Sequence, residues 1–170
     1  MNLDALGNIG EFMGAIGVIV SLIYVSIQLR QNSKAVRASA YQEISRTSID
    51  LLSCLISDPG MAEIWGRGLD GGTLALDEVE TTRWHSMLLA TFRHWDNLYY
   101  QFRNDLLETH LWQSYRVVIE SYLVYPGVVE WWHRNKAGFS PALHAFVDER
   151  LSNVPGSAAQ EAAIGREQTP

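Results

Sequence analysis

From Phe12 to Leu29 the chain carries no charged side chain. The run reads FMGAIGVIVSLIYVSIQL, and twelve of its eighteen residues are Ile, Leu, Val, Phe, Met or Ala. As a helix it would span roughly 27 Å, close to the hydrocarbon thickness of a bilayer. A surface helix of a soluble bundle normally keeps a polar stripe, and this run has no charge on any face. The expectation is a membrane-spanning helix, with the central helix of a soluble bundle as the rival.

The flanks give that helix a direction. Asp4 and Glu11 precede it, and Arg30, Lys34, Arg37 and Arg46 follow. The excess of basic residues on one side predicts an N-terminus outside and a C-terminal part in the cytoplasm. The leader MNLDALGNIGE has neither Lys nor Arg, which does not fit a cleaved signal peptide. Glu11 is a headgroup residue if the span begins at Phe12. It is an intramembrane carboxylate, and so a functional candidate, if the span begins near Leu6.

The small and polar residues of this segment are regularly spaced. Gly10, Gly14, Gly17, Ser21, Tyr24 and Gln28 follow steps of 4, 3, 4, 3 and 4, a heptad-like seam on one helix face. Gly10 and Gly14 form a GxxxG, and Gly17 with Ser21 a small-xxx-small pair. Such faces let helices in lipid approach closely, with polar side chains bonding across them. The seam predicts self-association, with a pore on the axis as one form of it.

No Gly or Pro occurs between Val18 and Asp58, so the helix is expected to run on, with Gln31-Asn32-Ser33 the place for a bend. Ile44, Leu51, Leu52 and Leu55 give a helix-period apolar face. Asp58-Pro59-Gly60 stops it and starts a short helix around 61–67, after which Gly66, Gly68, Gly71 and Gly72 predict a loop. Asp77 and Glu80 fit a capping box for a helix over about 78–104. Its stripe is Trp84, Leu88, Phe92, Trp95, Tyr99, Phe102 and Leu106. Further helices are expected over 109–124, from Pro126 to Gly138, and after Ser140-Pro141 with Leu143, Phe146, Val147 and Leu151 inward. Strand alternation is missing. The reading is all-α: a single N-terminal transmembrane helix continuing into a cytoplasmic bundle of about five helices. Residues 1–33 form the transmembrane segment with its flanks, 34–152 the helical domain and 153–170 a mobile tail.

Composition removes several function classes. With 13 Lys+Arg against 19 Asp+Glu the net charge is −6, which argues against nucleic acid as a partner. A chain that is 47% hydrophobic and 19% charged is not intrinsically disordered. The one cysteine, Cys54, leaves no disulfide framework and is expected in the core.

Glu130-Trp-Trp-His133 is a single Glu-x-x-His unit, whereas a di-iron bundle needs two and further carboxylates. GxSxG, Walker, GxGxxG and HExxH patterns are absent from the sequence. Neither a cofactor nor a metal is expected. His94, beside Phe92 and Trp95, reads as a bundle-edge histidine or as a general base. The six tryptophans read mostly as core. Trp131 and Trp132 are the exception: adjacent helix positions diverge by about 100°, so this pair is the expected partner-facing contact.

The stretches NIGE (8–11), SLIYVSIQLRQN (21–32), AEIWGRGL (62–69), WDNLYYQFRNDLLE (95–108) and WWHRNKAGFSPALHAFVDE (131–149) together resemble an uncharacterised family of small bacterial membrane proteins. Its members have one N-terminal spanning helix and a helical cytoplasmic domain. The resemblance covers nearly the whole chain before the tail. It implies a bacterial inner-membrane location and brings no activity, cofactor or catalytic residue.

Three functions fit these features. The first is a membrane-anchored, self-associating scaffold or accessory subunit without catalytic activity, its partners being the bilayer, other copies of itself and possible further proteins. The second is a homo-oligomeric channel lined by Gly17, Ser21, Tyr24 and Gln28, with rings of Glu11 or Arg30 setting selectivity. The third is an anchored ligand-binding or enzymatic bundle with a pocket lined by His94, Trp95 and Tyr99.

Overall fold

The computed structural model describes residues 3–153, with side chains described from residue 10 onward. The expected tail, apart from Asn153, and the Asp4 side chain lie outside the described residues. Six α-helices follow in chain order: α1 (Leu3–Ser57), α2 (Pro59–Gly71), α3 (Glu78–Arg103), α4 (Thr109–Tyr122), α5 (Pro126–Asn135) and α6 (Pro141–Ser152). Short 3-10 turns at Gly72–Ala75 and Lys136–Gly138 follow α2 and α5. The described residues contain no strand, and the protein is all-α, with one long apolar N-terminal helix continuing into a helical region.

The chain divides into two compact units between Ser39 and Ala40, somewhat later than the 33/34 boundary expected from sequence. The N-terminal unit is the first part of α1. Helical structure continues through Gln31-Asn32-Ser33 without interruption, because no residue there breaks the backbone hydrogen-bond ladder. Every residue from Gly10 to Ser39 is exposed. Among the described residues this is the one helix long and apolar enough to cross a membrane.

The second unit is a bundle organised by α3. Asp77 caps α3 with the full capping box: its carboxylate accepts from the Glu80 backbone N–H, and Glu80 accepts from the Asp77 N–H. Trp84, Leu88, Phe92, Trp95 and Leu98 are buried along its inner face. Phe92 stacks on Trp132 with ring centroids 5.1 Å apart, and Trp95 meets Tyr122 at 5.7 Å. The apolar stripe does not run on to Leu106. Asp105 takes a positive φ of 57°, tolerated by Asp better than by most side chains, and the reversal buries Leu107 instead.

α2 is longer than the sequence predicts. Gly66, Gly68 and Gly71 lie within it rather than in a loop. Met61, Ile64, Trp65, Gly68 and Leu69 form its buried face, and that burial outweighs a glycine's helix cost of about 1 kcal/mol. Gly68 is also sterically required. A β-carbon there would stand 2.3 Å from Nε1 of Trp84. The helix ends at Gly72, whose φ of +58° suits glycine. Ser140 caps α6 through the Leu143 N–H, and its own N–H and hydroxyl both donate to Asp96 of α3.

Candidate functional site

Two regions carry chemistry that the core does not use up. The first is the seam on α1. Ser21 Oγ donates to the Gly17 carbonyl at 2.8 Å, and Gln28 Nε2 donates to the Tyr24 hydroxyl at 2.8 Å. Both bonds run i to i−4 along one face, within the helix itself. A β-carbon on Gly10, Gly14 or Gly17 would meet nothing within 4 Å. Among the described residues no fold contact accounts for these three glycines. The face is a shallow, open track of backbone flanked by Met13, Val18, Val20 and Val25, all exposed.

The second region is a half-open cleft of about 260 Å³ in the bundle, walled by residues of α1, α2, α3 and α4. Leu51, Leu55, Trp65, Met87 and Trp95 supply apolar walls. Ser48, Thr91 and His94 supply polar ones, and Tyr115 and Tyr122 bring hydroxyls from α4. No Asp, Glu, Lys or Arg lines it. Ser48 Oγ stands 3.0 Å from the Ile44 carbonyl, to which it donates, and 2.9 Å from His94 Nε2. With the hydroxyl hydrogen on that carbonyl, the histidine proton is on Nε2 and Nδ1 is an acceptor. His94 is only 7% exposed, and burial holds its pKa below the ordinary 6.5. Thr91 Oγ1 donates to the Met87 carbonyl at 2.8 Å.

The sequence pointed to His94 and Trp95 for such a pocket, and both line it. Tyr99, expected with them, does not. It packs on Trp112 and Phe146, with ring centroids 5.2 and 5.1 Å away, because one further turn of α3 carries it past α2 to the α4–α6 side. Ser48 and Thr91 escaped notice. Ile44, Ser48, Leu51 and Leu55 follow steps of 4, 3 and 4, and the serine interrupting that apolar series was the available signal.

The expected partner contact at Trp131 and Trp132 is overturned. Trp131 is 3% exposed and Trp132 0%. Their 100° divergence is absorbed on both sides: Trp131 Nε1 donates to His85 Nδ1 at 2.9 Å, and Trp132 Nε1 donates to Asp148 at 2.8 Å. Both rings also pack on Phe92. Burial alone would raise the Asp148 pKa, but Lys136 and the Trp132 N–H bonded to its carboxylate bring it below the ordinary value.

Cys54 is exposed rather than buried, and Leu52 is 53% exposed. The inward phase of α1 is set by Ile44, Leu51 and Leu55, and both residues fall off it. Glu130 accepts from Thr73 Oγ1 at 3.2 Å and pairs with Arg134 at 3.0 Å. Among the described residues no group of three or more His, Cys, Asp or Glu side chains gathers in a way that would hold a metal ion. Comparison with protein-family models, with curated proteins and with solved structures finds no match to this chain.

Proposed function

We propose that this protein is a membrane-anchored helical scaffold or accessory subunit that self-associates through the Gly10, Gly14, Gly17, Ser21, Tyr24 and Gln28 face of α1, with no catalytic role of its own. One observation carries the reading. The apolar helix is exposed from Gly10 to Ser39, and its three glycines open a track that nothing among the described residues fills. In lipid, apolar side chains gain little by packing on each other rather than on acyl chains, so small residues that admit a second backbone supply the driving force.

The basic residues Arg30, Lys34 and Arg37 follow the span, which orients the bundle to the cytoplasm. The resemblance drawn from the sequence is the ground for a bacterial inner membrane. Purified full-length protein in detergent should lose oligomer mass on Gly14→Leu or Gly17→Leu, read by mass photometry and cross-linking. An unchanged mass in both variants would remove the proposal.

A further inference from the structure

The cleft of the bundle is independent of the seam, and the polar valences of its Ser48–Thr91–His94 edge are one-sided. Ser48 and Thr91 have each spent their single hydroxyl hydrogen on a backbone carbonyl of their own helix. With the Ser48 hydrogen on the Ile44 carbonyl, His94 spends its one N–H on Ser48. What these three groups still offer is lone pairs: the Ser48 and Thr91 oxygens and one ring nitrogen. The remaining wall is aliphatic and aromatic, with the hydroxyl-bearing Tyr115 and Tyr122 on its α4 side, and carries no Asp, Glu, Lys or Arg. An anion would find no counter-charge, and a cation would be desolvated against leucine and tryptophan.

The geometry points to a binding site for a small uncharged apolar molecule carrying a hydroxyl donor, of the phenol or alcohol class. Its hydrocarbon body lies against Leu55, Trp65 and Trp95, and its O–H donates to the Ser48–Thr91–His94 group. The volume, about 260 Å³, falls just below the ~300–1,000 Å³ of drug-sized pockets. The cleft therefore takes a small ligand, enclosed on part of its surface.

The test uses full-length protein in detergent micelles and three probes of one shape: 4-cyclohexylphenol, its methyl ether and 4-cyclohexylbenzoate. Indole ¹H–¹⁵N resonances of Trp65 and Trp95 report the cleft, and Trp132, which does not line it, is the control. The phenol should shift Trp65 and Trp95 and bind about tenfold more tightly than the ether, the worth of one satisfied hydrogen bond. The carboxylate should not bind. Ser48→Ala should erase the preference for phenol over ether, and the near-isosteric Thr91→Val should reduce it if the first variant fails to fold. Equal affinity for phenol and ether, or no shift at either indole, overturns the site. Loss of oligomer mass in Val118→Asp together with no probe binding also overturns it, since the cleft would then be covered by a second copy.

Discussion

Gly127 lies directly against the backbone of Gly68: a β-carbon on Gly127 would stand 1.9 Å from the Gly68 carbonyl oxygen and 2.9 Å from the Gly72 nitrogen. The first turn of α5 therefore meets α2 backbone to backbone, and backbone is what cannot move aside. Gly127→Ala should destabilise the bundle by about 1–3 kcal/mol, the range for inserting atoms into a filled interior. Gly66, on the exposed face of α2, has nothing within 4 Å of its β-position. Gly66→Ala should stabilise by about 0.5–1 kcal/mol through helix propensity alone. Urea unfolding of the full chain in one detergent, followed by tryptophan fluorescence, measures both. Equal effects would mean that the contact between α2 and α5 is looser than described.

Asp148 joins α6 to α5 through two different bonds, the Trp132 indole N–H at 2.8 Å and the Lys136 ammonium at 2.8 Å. Trp132 is fully buried, whereas the Asp148 and Lys136 side chains are partly exposed. The indole bond should therefore matter more than the ion pair, since exposed pairs contribute little and a stranded buried donor costs about 1–3 kcal/mol. Asp148→Asn keeps an acceptor for the indole and should lose less stability than Asp148→Ala. Equal losses in Asn and Ala would assign the dominant role to the charge, which both variants remove.

His94 makes the bundle sensitive to mild acid. Its folded pKa lies below the 6.5 of a free histidine because burial disfavours the imidazolium. Below that value the unfolded chain binds the proton first, so stability present above pH 6.5 is lost as pH falls towards the folded pKa. One histidine can contribute a slope of at most ~1.4 kcal/mol per pH unit. Denaturation midpoints of wild type and His94→Gln, measured from pH 8 downward, should converge as the pH falls below 6.5. A constant difference would show that His94 contributes packing and no proton linkage.

The fold was largely legible because its signals are local. Asp77–Glu80, Asp58–Pro59 and Ser140–Pro141 each fix a helix start within four residues, and all three caps are present. The errors share another cause. Whether Gly68 belongs to a loop or a helix depends on the Trp84 ring that lies over it, sixteen positions along the chain. The fate of Trp131 and Trp132 depends on His85 and Asp148. The Ser48–His94 bond joins residues 46 apart, a pairing that helical periodicity cannot rank above any other. The seam on α1 differs again: its spacing is local and legible, but the described residues supply nothing that packs on it.

That seam makes a geometric prediction finer than a change in mass. Successive residues turn by about 100° around a helix, so Gly17 and Ser21 share a face while Phe12 and Ile19 lie far round from it. All four are exposed in the single chain, and exposure alone would make them equally reactive. In a Cys54→Ser background, needed because the native cysteine is exposed, Gly17→Cys and Ser21→Cys should form disulfide dimers on mild oxidation in membranes. Phe12→Cys and Ile19→Cys should stay monomeric, because a disulfide needs Cα atoms within about 7 Å and only the glycine-lined face allows that approach. Non-reducing gels of the four variants read the pattern. Equal cross-linking at all four positions would indicate random collision in the bilayer, and a maximum at Ile19 would move the contact to the opposite face.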